Sequence, residues 1–498
     1  MSPKTTDVAG VALAVSRIFH HLTFKAPAVV YKTQNITKIK SVFEDSKDQI
    51  RQTDQHSIEM LPSKIPSTRI GRFYEYTRLG LGAGAIVGQM KRAVGLSDST
   101  KSPLMTKENM DLLVNKLSKM RGAALKLGQM LSIQDLKDIS PEIQVVMKRV
   151  QNRANYMPKG QLESVLKSEW GVDWQAKFQS FTFKPIAAAS IGQVHQATFL
   201  DGTNVAIKIQ YPGVADSIDS DLDNLVMLLS LGNFLPKGLY LENTINAARK
   251  ELRQECDYLR EANNMESFKQ LIDISGLNHQ FHVPKVYKEL TTARILVTEF
   301  VSGVTIDNAI KLPQPKRNEL GERLLNLCLL ELFEFRLMQT DPNWSNFLYD
   351  SKNDIINLID FGATRPFAKE FTDPYFKLLK AGAEKNRERA IEYSVQLGFL
   401  TGFESQTMLN AHCNSLFTLA RPFSVSGIPF DFSQSTKMSE AVRNDIPVML
   451  RERLKPPPEE TYSLHRKLSG CFLLCGKLEA KIRCRDIFNV HYQKYKFE

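Results

Sequence analysis

Four short groups of residues, in a fixed order along the chain, have the types that phosphate and metal chemistry requires. Val205-Ala206-Ile207-Lys208 sets a cation on a β-type run with apolar neighbours on both sides. A lysine held that way points into a cleft, where it can hold phosphates and pair with a helix carboxylate. Glu251, Glu255, Asp257 and Glu261 follow on a helix-forming stretch as candidate partners. Asp341-Pro342-Asn343-Trp344-Ser345-Asn346 then puts a carboxylate and a carboxamide at the ends of a six-residue group. In phosphoryl transfer such an Asp orients or deprotonates the attacking hydroxyl, and such an Asn binds a magnesium ion. Asp360-Phe361-Gly362 completes the set after an apolar run from Ile355 to Ile359. A carboxylate at the end of a buried strand can hold magnesium across two phosphates, and the glycine permits the turn that follows. No single group decides the matter; their order does.

The elements that must position these residues are legible in outline. Leu112, Leu113, Leu117, Met120 and Leu125 recur at helical spacing in a region from Lys107 to Val150. From Phe181 the texture changes to strand, turn at Asp201-Gly202, and strand. The stretch from Leu241 to Ile272 reads as one helix, on which Glu255 and Glu261 would diverge by about 120°. Residues 283–290 and 293–301 read as strands. The end of the second would be a hinge, where the backbone of Glu299 and Val301 could hold an adenine edge. From Leu320 onward helices dominate, with Lys455–Glu460 as a linker.

The expected fold is therefore α+β, a protein-kinase-like two-lobe fold with an N-terminal helical extension. The extension spans 105–180, the N-lobe 181–302 and the C-lobe 303–498. Residues 1–40 are poor in acids and rich in lysine, the pattern of a mitochondrial targeting segment. Residues 41–104 read as a linker. Within it, 79–88 form a glycine-rich apolar segment that either associates with a membrane or simply links.

Two departures from a protein kinase stand out. The phosphate-covering loop reads Ala187-Ala188-Ala189-Ser190-Ile191-Gly192 where a glycine-rich run is usual. Alanine has less backbone freedom, so the loop should cradle phosphates differently. After Gly362 there is no recognisable activation segment, and Gln339-Thr340 replaces the His-Arg that normally precedes the catalytic Asp. A platform for a peptide substrate is missing.

Composition narrows the partners. Lys and Arg total 65 against 54 Asp and Glu, a net charge of +11 that favours anionic partners. A nucleotide and an anionic lipid surface fit; nucleic acid does not, since no zinc-finger, helix-turn-helix or aromatic-rich RNA-binding pattern is present. The six cysteines are too sparse for a disulfide scaffold and read as buried thiols.

These motifs resemble the UbiB family of atypical kinases. Lys126-Leu127-Gly128-Gln129 matches the family's K-x-G-Q signature, the 185–193 segment its alanine-rich loop, and Glu255-Cys256-Asp257 its E-x-D motif. The segments around Asp341 and Asp360 match its catalytic and metal-binding stretches, and the likeness runs over roughly residues 105–490. It is strongest toward mitochondrial members required for coenzyme Q biosynthesis. The resemblance implies that the helical extension lies over the active site, with Lys126 and Gln129 near the nucleotide pocket and Glu255 and Asp257 as their partners. It also implies a position on the matrix face of the inner membrane, in company with other coenzyme Q biosynthesis proteins.

The expected function is ATP hydrolysis, or phosphorylation of a small or lipid-like substrate, in support of coenzyme Q synthesis. ATP or ADP and Mg2+ are the expected ligands. Lys208, Ala187, Ala188, Ala189, Ser190, Glu299, Val301, Glu255 and Glu261 would bind the nucleotide. Asn346 and Asp360 would hold the metal, and Asp341 and Lys208 would act in catalysis. A nucleotide-binding scaffold and a true protein kinase are the alternatives, and a second copy of the chain is a candidate partner.

Overall fold

The computed structural model describes residues 156–231 and 241–498, together with Val114 and Gly122. The 1–40 and 79–88 segments, and Lys126, Gly128 and Gln129, lie outside the described residues.

Helix α1 (Lys159–Trp170) precedes a sheet of five strands. These are β1 (Phe178–Phe181), β2 (Ala187–Ala188), β3 (Gly192–Phe199), β4 (Asn204–Gln210) and β6 (Ile295–Glu299), with β5 (Phe281–His282) lying elsewhere. The sheet order is β1-β3-β4-β6, with β2 paired to β3, and every pairing is antiparallel. The sheet thus begins at Phe178, a few residues before the expected boundary. On β4, period-two alternation buries Val205, Ile207 and Ile209 completely and turns Lys208 to the other face. Gly122 lies against Val214 and Ile191, so part of the expected helical extension meets the alanine loop.

Helix α2 (Val214–Leu231) leads on, and then the expected single helix is two. Helix α3 (Leu241–Glu255) ends, and α4 (Tyr258–Ile274) starts afresh. The reason is local: the Asp257 carboxylate accepts from the Arg260 N–H at 2.9 Å, capping α4. Gln210 donates to the Cys256 carbonyl at 2.8 Å and fixes this corner against β4. The expected strand at 283–290 is likewise reduced to one bridge, Val286 to Thr298.

The C-lobe is built on α5 (Gln314–Phe333), α6 (Lys369–Ala383), α7 (Arg387–Leu397), α8 (Gln406–Ala420), α9 (Ser435–Glu452), α10 (Glu459–Lys477) and α11 (Cys484–Lys494). Stacked Phe333 and Phe376, 3.6 Å between ring centroids, join α5 to α6. Among these helices run β7 (Val304–Thr305), β8 (Leu337–Gln339), β9 (Phe347–Asp350), β10 (Ile355–Leu358), β11 (Thr364–Pro366), and the two-residue β12 (Phe430–Asp431) and β13 (Lys481–Ile482). All six cysteines are buried and unbridged.

Candidate active site

Two short antiparallel pairings close the sequence gap between the Asp341–Asn346 group and the Asp360–Gly362 group. The β9–β10 hairpin pairs Phe347 with Leu358, so Asn346 and Asp360 emerge at the same end. The Ile359 N–H donates to the Asn346 carbonyl at 3.2 Å, extending that register. The β8–β11 pairing sets Gln339 opposite Thr364, bringing the approach to Asp341 against the exit from Gly362. Asn346 donates its side-chain N–H to Asp341 Oδ2 at 2.9 Å, which fixes both groups.

Across the cleft, Lys208 Nζ donates to both oxygens of Glu261, at 2.9 and 3.0 Å, and to Asp360 Oδ2 at 3.2 Å. Glu261 is fully buried. Burial pushes its carboxyl up, against the pull of the Lys208 ammonium. Burial works the other way on Lys208, but the charges of Asp360 and Glu261 outweigh it and hold the ammonium well above its ordinary range. The geometry of three short contacts is that of an ionised pair, and the direction on Lys208 agrees with it. The Tyr258 ring lies 5.3 Å from Nζ and adds a cation–π contact.

The acid that meets Lys208 is therefore Glu261, and not Glu255. The helix break at Cys256-Asp257 decides this, because it places the two acids on different helices. Glu255 sits beside the Asp360-Phe361-Gly362 turn, its Cγ 3.6 Å from where a Gly362 Cβ would lie. Asp257 serves as the cap of α4. Glu251 pairs with Arg466 at 3.0 Å.

Two residues that sequence reasoning missed, with the buried Phe361 ring, lock the Asp360 turn onto α4. Arg260 donates to the Gly362 carbonyl at 3.0 Å and to the Thr364 carbonyl. Asn264 donates to the Phe361 carbonyl at 3.3 Å. Phe361 is fully buried, 5.0 Å from the Phe268 ring. Arg260 and Asn264 stand four apart, which puts them on one face of α4; that signal becomes readable only once the helix start is fixed at Asp257.

The alanine-rich group is a tight hairpin. Ala187 and Ala188 pair with Val194 and Gln193, and the Ala189 N–H donates to the Gly192 carbonyl at 2.8 Å, leaving Ser190 and Ile191 at the tip. Gly192 is obligatory: a Cβ there would lie 2.6 Å from the Ile209 carbonyl oxygen and 2.7 Å from the Tyr258 hydroxyl. At the hinge, Glu299 ends β6 opposite Val205. Its N–H donates to the Lys285 carbonyl at 2.8 Å, and its carboxylate accepts from the Lys285 N–H at 3.1 Å. Val301 lies just beyond, outside the strand ladder.

A buried charge pair lies against Gln339, two residues before Asp341. Lys467 on α10 sits 3.0 Å from Glu331 Oε2 and donates to Gln339 Oε1 at 3.0 Å. Burial pushes the Glu331 carboxyl up to about 7, the Lys467 charge opposing. Gln339, which stands where kinases place a His, is thus anchored.

Residues 149–394 match the ABC1 atypical kinase-like domain. Over 437 residues the chain is 47% identical to the rat protein named Atypical kinase COQ8B, mitochondrial, covering 87% of this chain and 82% of that one. The chain belongs to the ABC1 atypical kinases. The Saccharomyces cerevisiae member, Atypical kinase COQ8, mitochondrial, is 46% identical over 454 residues, 90% of each chain. A Mycobacterium tuberculosis structure, a complex of Rv3197 with erythromycin, shares the fold at a TM-score of 0.52 and 22% identity, over 76% of this chain and 95% of that one. As an ABC1 kinase the chain is an enzyme of the phosphoryl-transfer class, of the UbiB and COQ8 type. Among the described residues no helix is long and apolar enough to cross a membrane.

Proposed function

We propose that this chain binds ATP with magnesium and either hydrolyses it or passes its terminal phosphoryl group to a small or lipid-like acceptor, in support of coenzyme Q biosynthesis. The observation that carries the reading is Lys208 held between Glu261 and Asp360, at 2.9 and 3.2 Å. A lysine fixed by two carboxylates presents its charge at one point, where the phosphates of a nucleotide would lie.

The donor set fits magnesium. Asp360 and Asn346 carry hard oxygens and emerge at the same end of the β9–β10 hairpin, and magnesium is commonly bound by one or two such ligands together with substrate phosphates. Bound there, the ion would neutralise charge on the transferring phosphoryl group. Asn346 also donates to Asp341 Oδ2, which leaves Asp341 Oδ1 to accept from the Asn343 N–H at 3.3 Å and orients the carboxylate for an incoming hydroxyl or water. Helix α6 starts at Lys369, soon after Gly362, so there is little chain to form a peptide platform. That favours a small acceptor over a protein.

The names of the relatives support a mitochondrial setting. The net charge of +11 supports attachment to anionic lipid on the matrix face of the inner membrane, alongside other proteins of the pathway. Phosphate release from ATP by the purified full chain, beside Asp360→Asn, tests the reading. Turnover that disappears in the variant sustains it; turnover that persists undiminished overturns it.

A further inference from the structure

Helix α8 ends at Ala420, and the chain from Arg421 to Asp431 then runs across the start of α11. It is held there at three points. The Arg485 guanidinium donates to the Phe423 carbonyl at 3.0 Å, and the buried Phe423 ring packs 5.1 Å from that of Phe488. The Asp486 carboxylate accepts from the Ser426 hydroxyl at 2.6 Å and from the Gly427 N–H at 3.2 Å. Strand β12 then pairs with β13, Phe430 opposite Ile482 and Asp431 opposite Lys481. Gly427 stands at a φ of +74°, so the turn between the second and third points favours a glycine.

These ties hold apolar side chains out in the solvent. Val425 is 53% and Ile428 65% exposed, one on each side of the clasped Ser426-Gly427 pair. Asp486 and Val490 stand four apart on α11, so Val490, 49% exposed, continues the patch along that helix. A loop pinned at three points cannot fold these side chains inward. They stay unfavourably hydrated until another apolar phase covers them.

Cations flank the patch. Arg421, Lys481, Arg483 and Lys494 are exposed, and Lys494 lies one helical turn beyond Val490. The stretches 421–431 and 481–494 contain two acids, Asp431 and Asp486. Both are engaged, Asp486 by the loop and Asp431 by the Ser433 N–H at 2.9 Å and by Lys481 at 3.7 Å. Apolar tips beside a cationic rim suit an anionic bilayer, which attracts the cations while the tips enter its headgroup region. The net charge of the whole chain, +11, has the same sign.

We propose that this face docks on an anionic lipid bilayer. Val425, Ile428 and Val490 enter the headgroup region, and Arg421, Lys481, Arg483 and Lys494 meet the lipid phosphates. The assignment rests on the proposed attachment to anionic lipid and names the surface that makes it.

All six cysteines are buried, so a cysteine introduced on the surface can be labelled selectively. Pro429→Cys, on the exposed loop, carries the environment-sensitive dye nitrobenzoxadiazole. Phe403→Cys, at a position 89% exposed beyond the other end of α8, carries the same dye as a control. The labelled full chains are mixed with vesicles of phosphatidylcholine and phosphatidylglycerol in equal parts, or of phosphatidylcholine alone. Flotation and dye emission are read together. With the mixed vesicles the Pro429→Cys dye should shift to the blue and the Phe403→Cys dye should not. Val425→Asp with Ile428→Asp, and separately Arg421→Gln with Lys494→Gln, should each raise the lipid concentration at half-shift by at least about tenfold. Near-ultraviolet circular dichroism checks that each variant is folded, and the second pair stands if the first does not fold. A chain that floats with the mixed vesicles while the Pro429→Cys dye stays unshifted attaches through another part; that overturns the face and leaves the attachment standing. A chain that floats with neither kind of vesicle overturns both. A shift that is equal at the two dye positions, or equal with the neutral vesicles, would also overturn the face. So would a shift that grows with protein concentration in the absence of lipid, which would assign the surface to a second copy of the chain.

Discussion

The Thr340 hydroxyl donates to the Ala363 carbonyl at 2.6 Å, joining the residue before Asp341 to the residue after Gly362. The Thr340 N–H donates to the same carbonyl at 3.3 Å. Two segments more than twenty positions apart are thereby made one rigid unit, on which Asp341 and Asp360 hold their spacing.

Thr340→Val removes the hydroxyl without changing the shape of a residue that is 2% exposed. It should cost about 1–2 kcal/mol of stability, the price of one buried hydrogen bond. Turnover should fall through kcat with little change in KM, because the loss is one of orientation. Urea denaturation and steady-state kinetics on the same preparation check both parts.

Glu261→Gln should reduce ATP turnover by about 10- to 100-fold, the equivalent of a lost charge-assisted hydrogen bond to Lys208. Glu255→Gln, at the acid that does not reach Lys208, should reduce it much less. Comparable losses in the two variants would show that the helix break does not set the partner. Glu261→Ala should also unfold readily, since it leaves the Lys208 charge buried beside one carboxylate.

Glu331 gives a prediction in pH. Its carboxyl is raised by burial from 4.5 to about 7, so between those values the folded chain keeps a proton that the unfolded chain has lost. Stability therefore falls as pH rises through that window, by up to about 1.4 kcal/mol per pH unit for each such group. Burial moves Glu261 in the same direction. Glu331→Gln should flatten the slope in part, as read from denaturation midpoints across the window; an unchanged slope would mean that Lys467 keeps Glu331 ionised throughout.

Gly192→Ala should destabilise the N-lobe by about 1–3 kcal/mol, because its Cβ meets the Ile209 carbonyl oxygen at 2.6 Å, an atom that cannot move aside freely. Tyr258→Phe alone should be close to neutral, since the hydroxyl it removes is buried without a partner. Combined, the two should recover part of the loss by removing the contact at 2.7 Å. A double-mutant cycle on thermal midpoints measures that recovery.

The groups that make up the candidate site could be picked out in advance because each carries its own local signal. Lys208 lies on an alternating strand, the Asp341 to Asn346 spacing spans one short turn, and Gly362 follows an apolar run. The two-helix corner was also written locally, in an Asp able to cap α4, but the helical periodicity on either side of it concealed the stop. Glu261 could therefore not be chosen over Glu255 from spacing alone.

By itself, the sequence determined the order of the chemistry: a cation on a strand, then a carboxylate with its carboxamide, then a carboxylate before a glycine turn. Those are choices of residue type within a few positions, which short-range rules can reach. The tertiary structure alone decided which acid faces Lys208, which carbonyls Arg260 and Asn264 hold, and that Lys467 lies against Gln339. Each of those joins residues far apart in the chain, and such contacts are set by the packing of whole elements, for which no local pattern of residues provides a signal.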